Sequence, residues 1–143
     1  MNRILYIAVS LILLSGCDVP TEEKDNTPEY VKNAKSDVGA ALVANVYKNP
    51  DFKCESIPAN DGMWSMGCFI HEEKPGPFLL FAVVQNNENP PFDYKLFAVN
   101  GKAKQLAETP SLQMFKIDVQ NNMNTDYEKV IQTFINEFVT NKK

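Results

Sequence analysis

Few residues in this chain could do chemistry: three cysteines (Cys17, Cys54, Cys68) and one histidine, His71, followed by Glu72 and Glu73. Thiolates and imidazole together bind zinc, but a closed site takes four ligands. The chain has no second cysteine pair and no second histidine to complete such a set. His71 beside acids could orient a serine nucleophile, yet no G-x-S-x-G stretch supplies one. With charged neighbours at the end of an apolar run, His71 reads as a solvated strand-end residue, and Glu72-Glu73-Lys74 as a charged turn that discourages edge pairing. Asp93, between Phe92 and Tyr94, is the one carboxylate in the kind of apolar setting that acid–base catalysis uses, although a strand-start residue is the simpler reading. Phosphate loop, dinucleotide fingerprint, calcium loop and H-E-x-x-H are all missing from the sequence. The expectation is no catalytic residue, no metal and no cofactor.

What the cysteines do depends on the compartment, and the first sixteen residues speak to that. Arg3 is followed by an apolar run from Ile4 to Leu14 and by the small residues Ser15 and Gly16. This is the layout of a secretory signal peptide. The run is too short for a bilayer-spanning helix, which takes about 20 residues. Leu14-Ser15-Gly16-Cys17 resembles the lipobox of bacterial lipoproteins. The resemblance implies that the Cys17 thiol carries a diacylglyceryl group, that the chain is cut just before it, and that the new amino group is acylated. Each buried methylene contributes about 0.8 kcal/mol, so several chains on one residue hold where a single chain is marginal. Asp18 is similar to the inner-membrane retention signal of enterobacterial lipoproteins. The expected location is the periplasmic face of the inner membrane, with the outer membrane as the alternative.

Export puts Cys54 and Cys68 in an oxidising space, where an even pair in a small domain reads as a disulfide. Closing a loop of about 15 residues contributes on the order of 3 kcal/mol in the chain-entropy model. The segment Val19 to Thr27 is polar and nearly free of bulky apolar groups, so it is expected to be a flexible tether reaching about 17–19 Å. The division is thus 1–16 signal, 17–27 lipidated cysteine and tether, and 28–143 one periplasmic domain. Net charge is −4, and loss of Arg3 with the signal makes the mature chain more negative still. No basic stripe is present, which argues against nucleic acid as a partner.

The positioning elements follow from pattern. Thr27-Pro28-Glu29 supplies an N-cap, a first-turn proline and a first-turn acid. Val31, Ala34, Val38, Leu42 and Val46 then form one apolar stripe, closed by Asn49-Pro50. Strands are expected at 52–57 and 63–70 around a three-residue loop, Asn60-Asp61-Gly62, with Gly62 left-handed. That loop pairs Ala59 with Met63 and, counting outward, places Cys54 opposite Cys68. Trp64, Met66 and Ile70 share the Cys68 face, as core or as an aromatic binding surface. Residues 78–84 are continuously apolar, as for a central strand covered on both faces. The spacing predicts a loop at 85–91, a strand at 92–99, and an Asn100-Gly101 hairpin turn into a strand at 102–106. A last strand at 115–119 has one wet face. Thr125-x-x-Glu128 is a capping box opening a helix to about Val139. The expected class is α+β: an antiparallel sheet of about five strands, an N-terminal and a C-terminal helix packed on one face, and one disulfide.

Function is less legible. Pro90 to Phe97 could present Phe92, Tyr94 and Phe97 as a partner-binding edge, or bury them as core and rim of one strand. The first expectation is a membrane-tethered envelope module that binds a protein partner without catalysis. A small acidic exported domain could instead inhibit a toxin or hydrolase by occluding a basic site. A third possibility, an enzyme of the cell wall, finds little support among the residues.

Overall fold

A computed structural model describes residues 25–72, 76–120 and 125–141. The signal segment, Cys17, Asp18 and the first part of the tether lie outside the described residues. Four strands form one antiparallel sheet in sequence order: β1 (Phe52–Pro58), β2 (Trp64–Ile70), β3 (Leu79–Asn89) and β4 (Phe92–Ala98). The β1–β2 loop is the expected one, a single tight turn at Asn60–Gly62 with Gly62 at φ 72°. It sets the register that pairs Cys54 with Cys68, and the two are joined as a disulfide with Cα atoms 4.0 Å apart.

Period-2 alternation splits the sheet into two faces, each with its own core. One face carries Phe52, Cys54, Met66, Cys68, Leu79, Phe81, Val83, Tyr94 and Leu96. The helix α1 (Glu29–Ala41) lies on it, burying Val31, Ala34 and Val38, and continues as a π-helical turn (Leu42–Tyr47) that buries Leu42. Trp64 and Ile70 pack at the margin of this core, so the shared face of β2 is core rather than an exposed aromatic surface. The other face carries Ile57, Phe69, Leu80 and Ala82, and α3 (Tyr127–Ile135) covers it through Phe134. Leu79 to Val83 therefore point alternately into both cores, as a continuously apolar strand must.

Several expectations are corrected. The helices lie on opposite faces, making three layers, because a strand apolar on both sides needs cover on both. The sheet has four strands, not about five. Residues 102–106 are not a strand but part of α2 (Gly101–Ala107), because Asn100 acts as an N-cap instead of a turn residue. Its carboxamide oxygen accepts from the Ala103 and Leu80 amides, its nitrogen donates to the Phe78 carbonyl, and Ala103 and Ala107 sit buried one turn apart. Residues 115–119 likewise form no strand. Leu112 and Phe115 are buried at helical-turn spacing, Lys116 takes a left-handed φ of 48°, and only Asp118 bridges to β4.

The amide-rich stretch expected as a loop is mostly strand. β3 runs to Asn89, bulged between Gln85 and Asn89, and turns through Pro90-Pro91. Beyond Val83 this ribbon has no β2 neighbour and largely faces water, so polar residues suit it. At the helix starts the caps also shift. Pro28 precedes α1 while the Thr27 amide donates to Asp25, and Asp126 rather than Thr125 caps α3 by accepting from the Lys129 amide at 3.2 Å.

Candidate functional site

A sheet edge is the natural place for a binding module to take a partner, and the two edges differ. Along β4, Asp118 is inserted beside the strand: its amide donates to the Leu96 carbonyl and its carbonyl accepts from the Ala98 amide, both at 2.9 Å. Farther along, Asn33 of α1 donates to the Asp93 carboxylate at 3.0 Å. Asp93 follows Phe92, which packs on the core of the face that α1 covers, so Asp93 belongs to the other face and this bond passes around the strand. The chain has covered its own β4 edge.

Along β1 no described strand lies outside. The narrow Cys54–Cys68 spacing marks a non-hydrogen-bonded pair, so the backbone groups of Cys54 and Ser56 point away from β2. A groove of about 450 Å³ runs there between β1 and α1. Lys32 and Lys35 stand on its helical wall, Lys53 and Glu55 on its strand wall, and Gly39 with Cys54 on its floor. A side chain at Gly39 would meet the Cys54 sulfur at 3.7 Å, so α1 lies close over the disulfide.

The groove's charges are partly engaged within the chain. Lys32 pairs with Asp25 at 3.1 Å, and Lys35 with Glu55 at 3.5 Å. The Asp25 carboxyl is lowered to about 2, first by the hydrogen bonds from Thr27 and then by Lys32. Glu55 lies opposite Gly67, on the α3 face, whereas Lys35 comes from the helix on the disulfide face. Their ion pair therefore wraps the outside of β1. Glu55 has a second neighbour in His71, whose Nε2 lies 3.6 Å away.

The residues singled out from sequence fall mostly elsewhere. His71 is not a solvated strand end: its side chain is only 13 % exposed, against Phe69 with ring centroids 4.8 Å apart and stacked near Phe138 at 6.5 Å. Tyr94 is 1 % exposed, and its hydroxyl donates to Asp37 at 2.9 Å. Burial, then the Asp37 carboxylate, raises its pKa far above the usual tyrosine value. Phe92 packs between Tyr94 and Phe115, with centroids 5.3 and 5.2 Å away. Phe97 packs at the margin of the opposite core, with the Lys95 ammonium 4.9 Å from its ring centroid. Hence the aromatic trio is core and rim and forms no common surface. Cys17 and Asp18 lie outside the described residues.

Sequence reasoning missed the lysines of the groove. Lys32 and Lys35 are neighbours on a helix surface at three-residue spacing, but only the crossing of α1 over the sheet shows that they flank an edge. A second concavity, of about 590 Å³, opens on the other face between the β1–β2 loop and the start of α3. It exists because small side chains, Ser65 and Ala82, stand side by side beneath that end of the helix. Among the described residues, no three or more His, Cys, Asp and Glu side chains cluster to hold a metal ion, and no helix is long and apolar enough to cross a membrane. No family model matches the chain, and neither a curated protein nor a solved structure matches it significantly.

Proposed function

We propose that this chain is a lipid-anchored envelope protein, held at the periplasmic face of the inner membrane through Cys17, whose single domain binds a protein partner without catalysis. The observation that carries the reading is the Cys54–Cys68 disulfide. It consumes both cysteines of the domain, suits an oxidising compartment, and leaves Cys17 of the lipobox-like stretch for lipid. Asp18 favours the inner membrane. An open sheet edge next to a charged groove suits a module that recognises another chain.

Metabolic labelling with a radioactive fatty acid tests the anchor. The full chain should take up label and be processed, while Cys17→Ala should remain an unlabelled precursor. Normal processing of that variant would remove the localisation argument. Crosslinking in intact cells followed by affinity purification tests the binding role and should recover one dominant envelope protein. A toxin or hydrolase recovered in its place would favour an inhibitory role.

A further inference from the structure

We infer that the open edge of β1 docks an extended acidic segment of the partner protein, added to the sheet as a fifth strand with its carboxylates on Lys32 and Lys35. This names the partner chemistry for the binding role proposed above and rests on that reading.

Three observations converge on the edge. First, of the two edges only β1 has no described chain beside it, since Asp118 occupies the outside of β4. Second, β1 offers backbone groups in a short, bounded stretch. The Phe52 amide is already given to the Asn49 carbonyl and Pro58 has none, so Cys54 and Ser56 are the residues that point both donor and acceptor outward. Third, the charges complement an acid. In a chain of net charge −4, three lysines line one groove against a single lining carboxylate, Glu55.

The contacts within the chain show what the groove accepts. Lys32 and Lys35 each hold a carboxylate, from Asp25 and Glu55. Asp25 is 64 % exposed, and the Lys35–Glu55 pair is about a quarter exposed at each end, so solvent screens both and both exchange readily. Wrapped around β1, the Lys35–Glu55 pair guards the edge against non-specific strands, as charge on an edge does. An incoming glutamate or aspartate displaces Glu55 from Lys35 and opens the edge in the same step; a neutral or basic strand has nothing to exchange. Acidic side chains alternating along the added strand would all face one side, the α1 side, where Lys32 and Lys35 stand one helical turn apart. Lys53, on the other face of β1, is not among their partners.

The test uses the purified full chain in detergent micelles and fluorescence anisotropy with short labelled peptides. One peptide alternates valine and glutamate, a second alternates valine and lysine, and a third repeats the first with alternate backbone nitrogens methylated on its hydrogen-bonding side. The glutamate peptide should bind, and both others should bind at least about tenfold more weakly. Reversing Lys32 and Lys35 together (Lys32→Glu, Lys35→Glu) should weaken the glutamate peptide by about tenfold or more, with the thermal midpoint checked to show that the fold survives. Equal binding of the methylated peptide would reduce the contact to simple charge attraction and overturn strand addition. Binding of the lysine peptide, failure of all three peptides, or indifference to the charge reversal would overturn the site. If crosslinking recovers a partner while the peptides fail, the inference falls and the binding role stands.

Discussion

Gly67→Ala tests the packing between β2 and α3 most directly. Gly67 faces the α3 core, where an added Cβ would lie 2.7 Å from Phe78 Cζ, 3.1 Å from Cε1 and 3.2 Å from Phe134 Cδ2. The Phe78 ring cannot simply swing away. It stacks on Phe69 at 4.8 Å and leans on Phe134 at 5.8 Å, and both of those rings are fully buried. Overpacking of this kind costs about 1–3 kcal/mol. The 2.7 Å contact puts this site in the upper half of that range, about 2–3 kcal/mol. Replacing glycine in a strand interior returns about 0.5–1 kcal/mol of chain entropy, so the net loss should be about 1–2.5 kcal/mol. For a domain of this size that is a fall of roughly 4–15 °C in thermal midpoint. Urea unfolding of the oxidised chain, followed by circular dichroism, measures it. Phe78→Leu makes room, so the double variant should be more stable than the sum of the two singles by at least about 0.5 kcal/mol. A Gly67→Ala chain as stable as the parent, or strictly additive singles, would refute the account of how α3 seats on the sheet.

Other perturbations probe other layers. Cys54→Ala with Cys68→Ala should cost about 3 kcal/mol in the same urea assay, since the bond closes a loop of 14 residues' separation; a loss below about 1 kcal/mol would mean that the unfolded hairpin is already constrained. Asn100→Ala should cost about 2–4 kcal/mol, because it removes the α2 cap and strands the Leu80 amide and the Phe78 carbonyl in the interior. Tyr94→Phe should change the alkaline limb of stability. The folded Tyr94 pKa is raised, so the folded state holds that proton when the unfolded state releases it, and the contribution is complete below about pH 10 and declines above it. The parent chain should lose stability steeply there, while Tyr94→Phe should lose less with rising pH despite a deficit of about 1 kcal/mol at neutrality from the Asp37 hydrogen bond.

What sequence revealed and what it hid follow one division. Features set by a short, contiguous stretch were legible: the α1 stripe, the β1–β2 register with its left-handed Gly62, the disulfide, and the two-sided burial of β3. Features decided by a distant partner were not. Asn100-Gly101 is a strong hairpin signal locally, yet the Leu80 amide and the Phe78 carbonyl recruit the Asn100 side chain and turn the same residues into a helix start. The alternation of Phe115, Ile117 and Val119 suggests a strand, but Leu112 and Phe115 bury as a helical turn and only Asp118 forms a β-bridge to β4. The amides of 85–89 read as loop because polarity usually means loop, whereas a strand end with no β2 beside it, held only by β4, can be polar and still pair. The groove was invisible for the same reason. Its lysines come from two elements that only the fold brings together.

The treatment of the two edges ties α1 to the rest of the molecule. One helix reaches around both sides of the sheet, through Asn33 to Asp93 at β4 and through Lys35 to Glu55 at β1. At β4 this contact is backed by two backbone hydrogen bonds, one given by the Asp118 amide and one accepted by its carbonyl, which no incoming strand can replace without unfolding that segment. At β1 the guard is one partly exposed ion pair, worth on the order of 0–1 kcal/mol. Two added backbone hydrogen bonds contribute about 1–3 kcal/mol, enough to exceed that guard when the newcomer also offers Lys35 a carboxylate. On the strand-docking proposal, edge protection would therefore act as a selectivity filter: it would disfavour strands that leave Glu55 and Lys35 separated without compensation and admit those that carry the replacement charge.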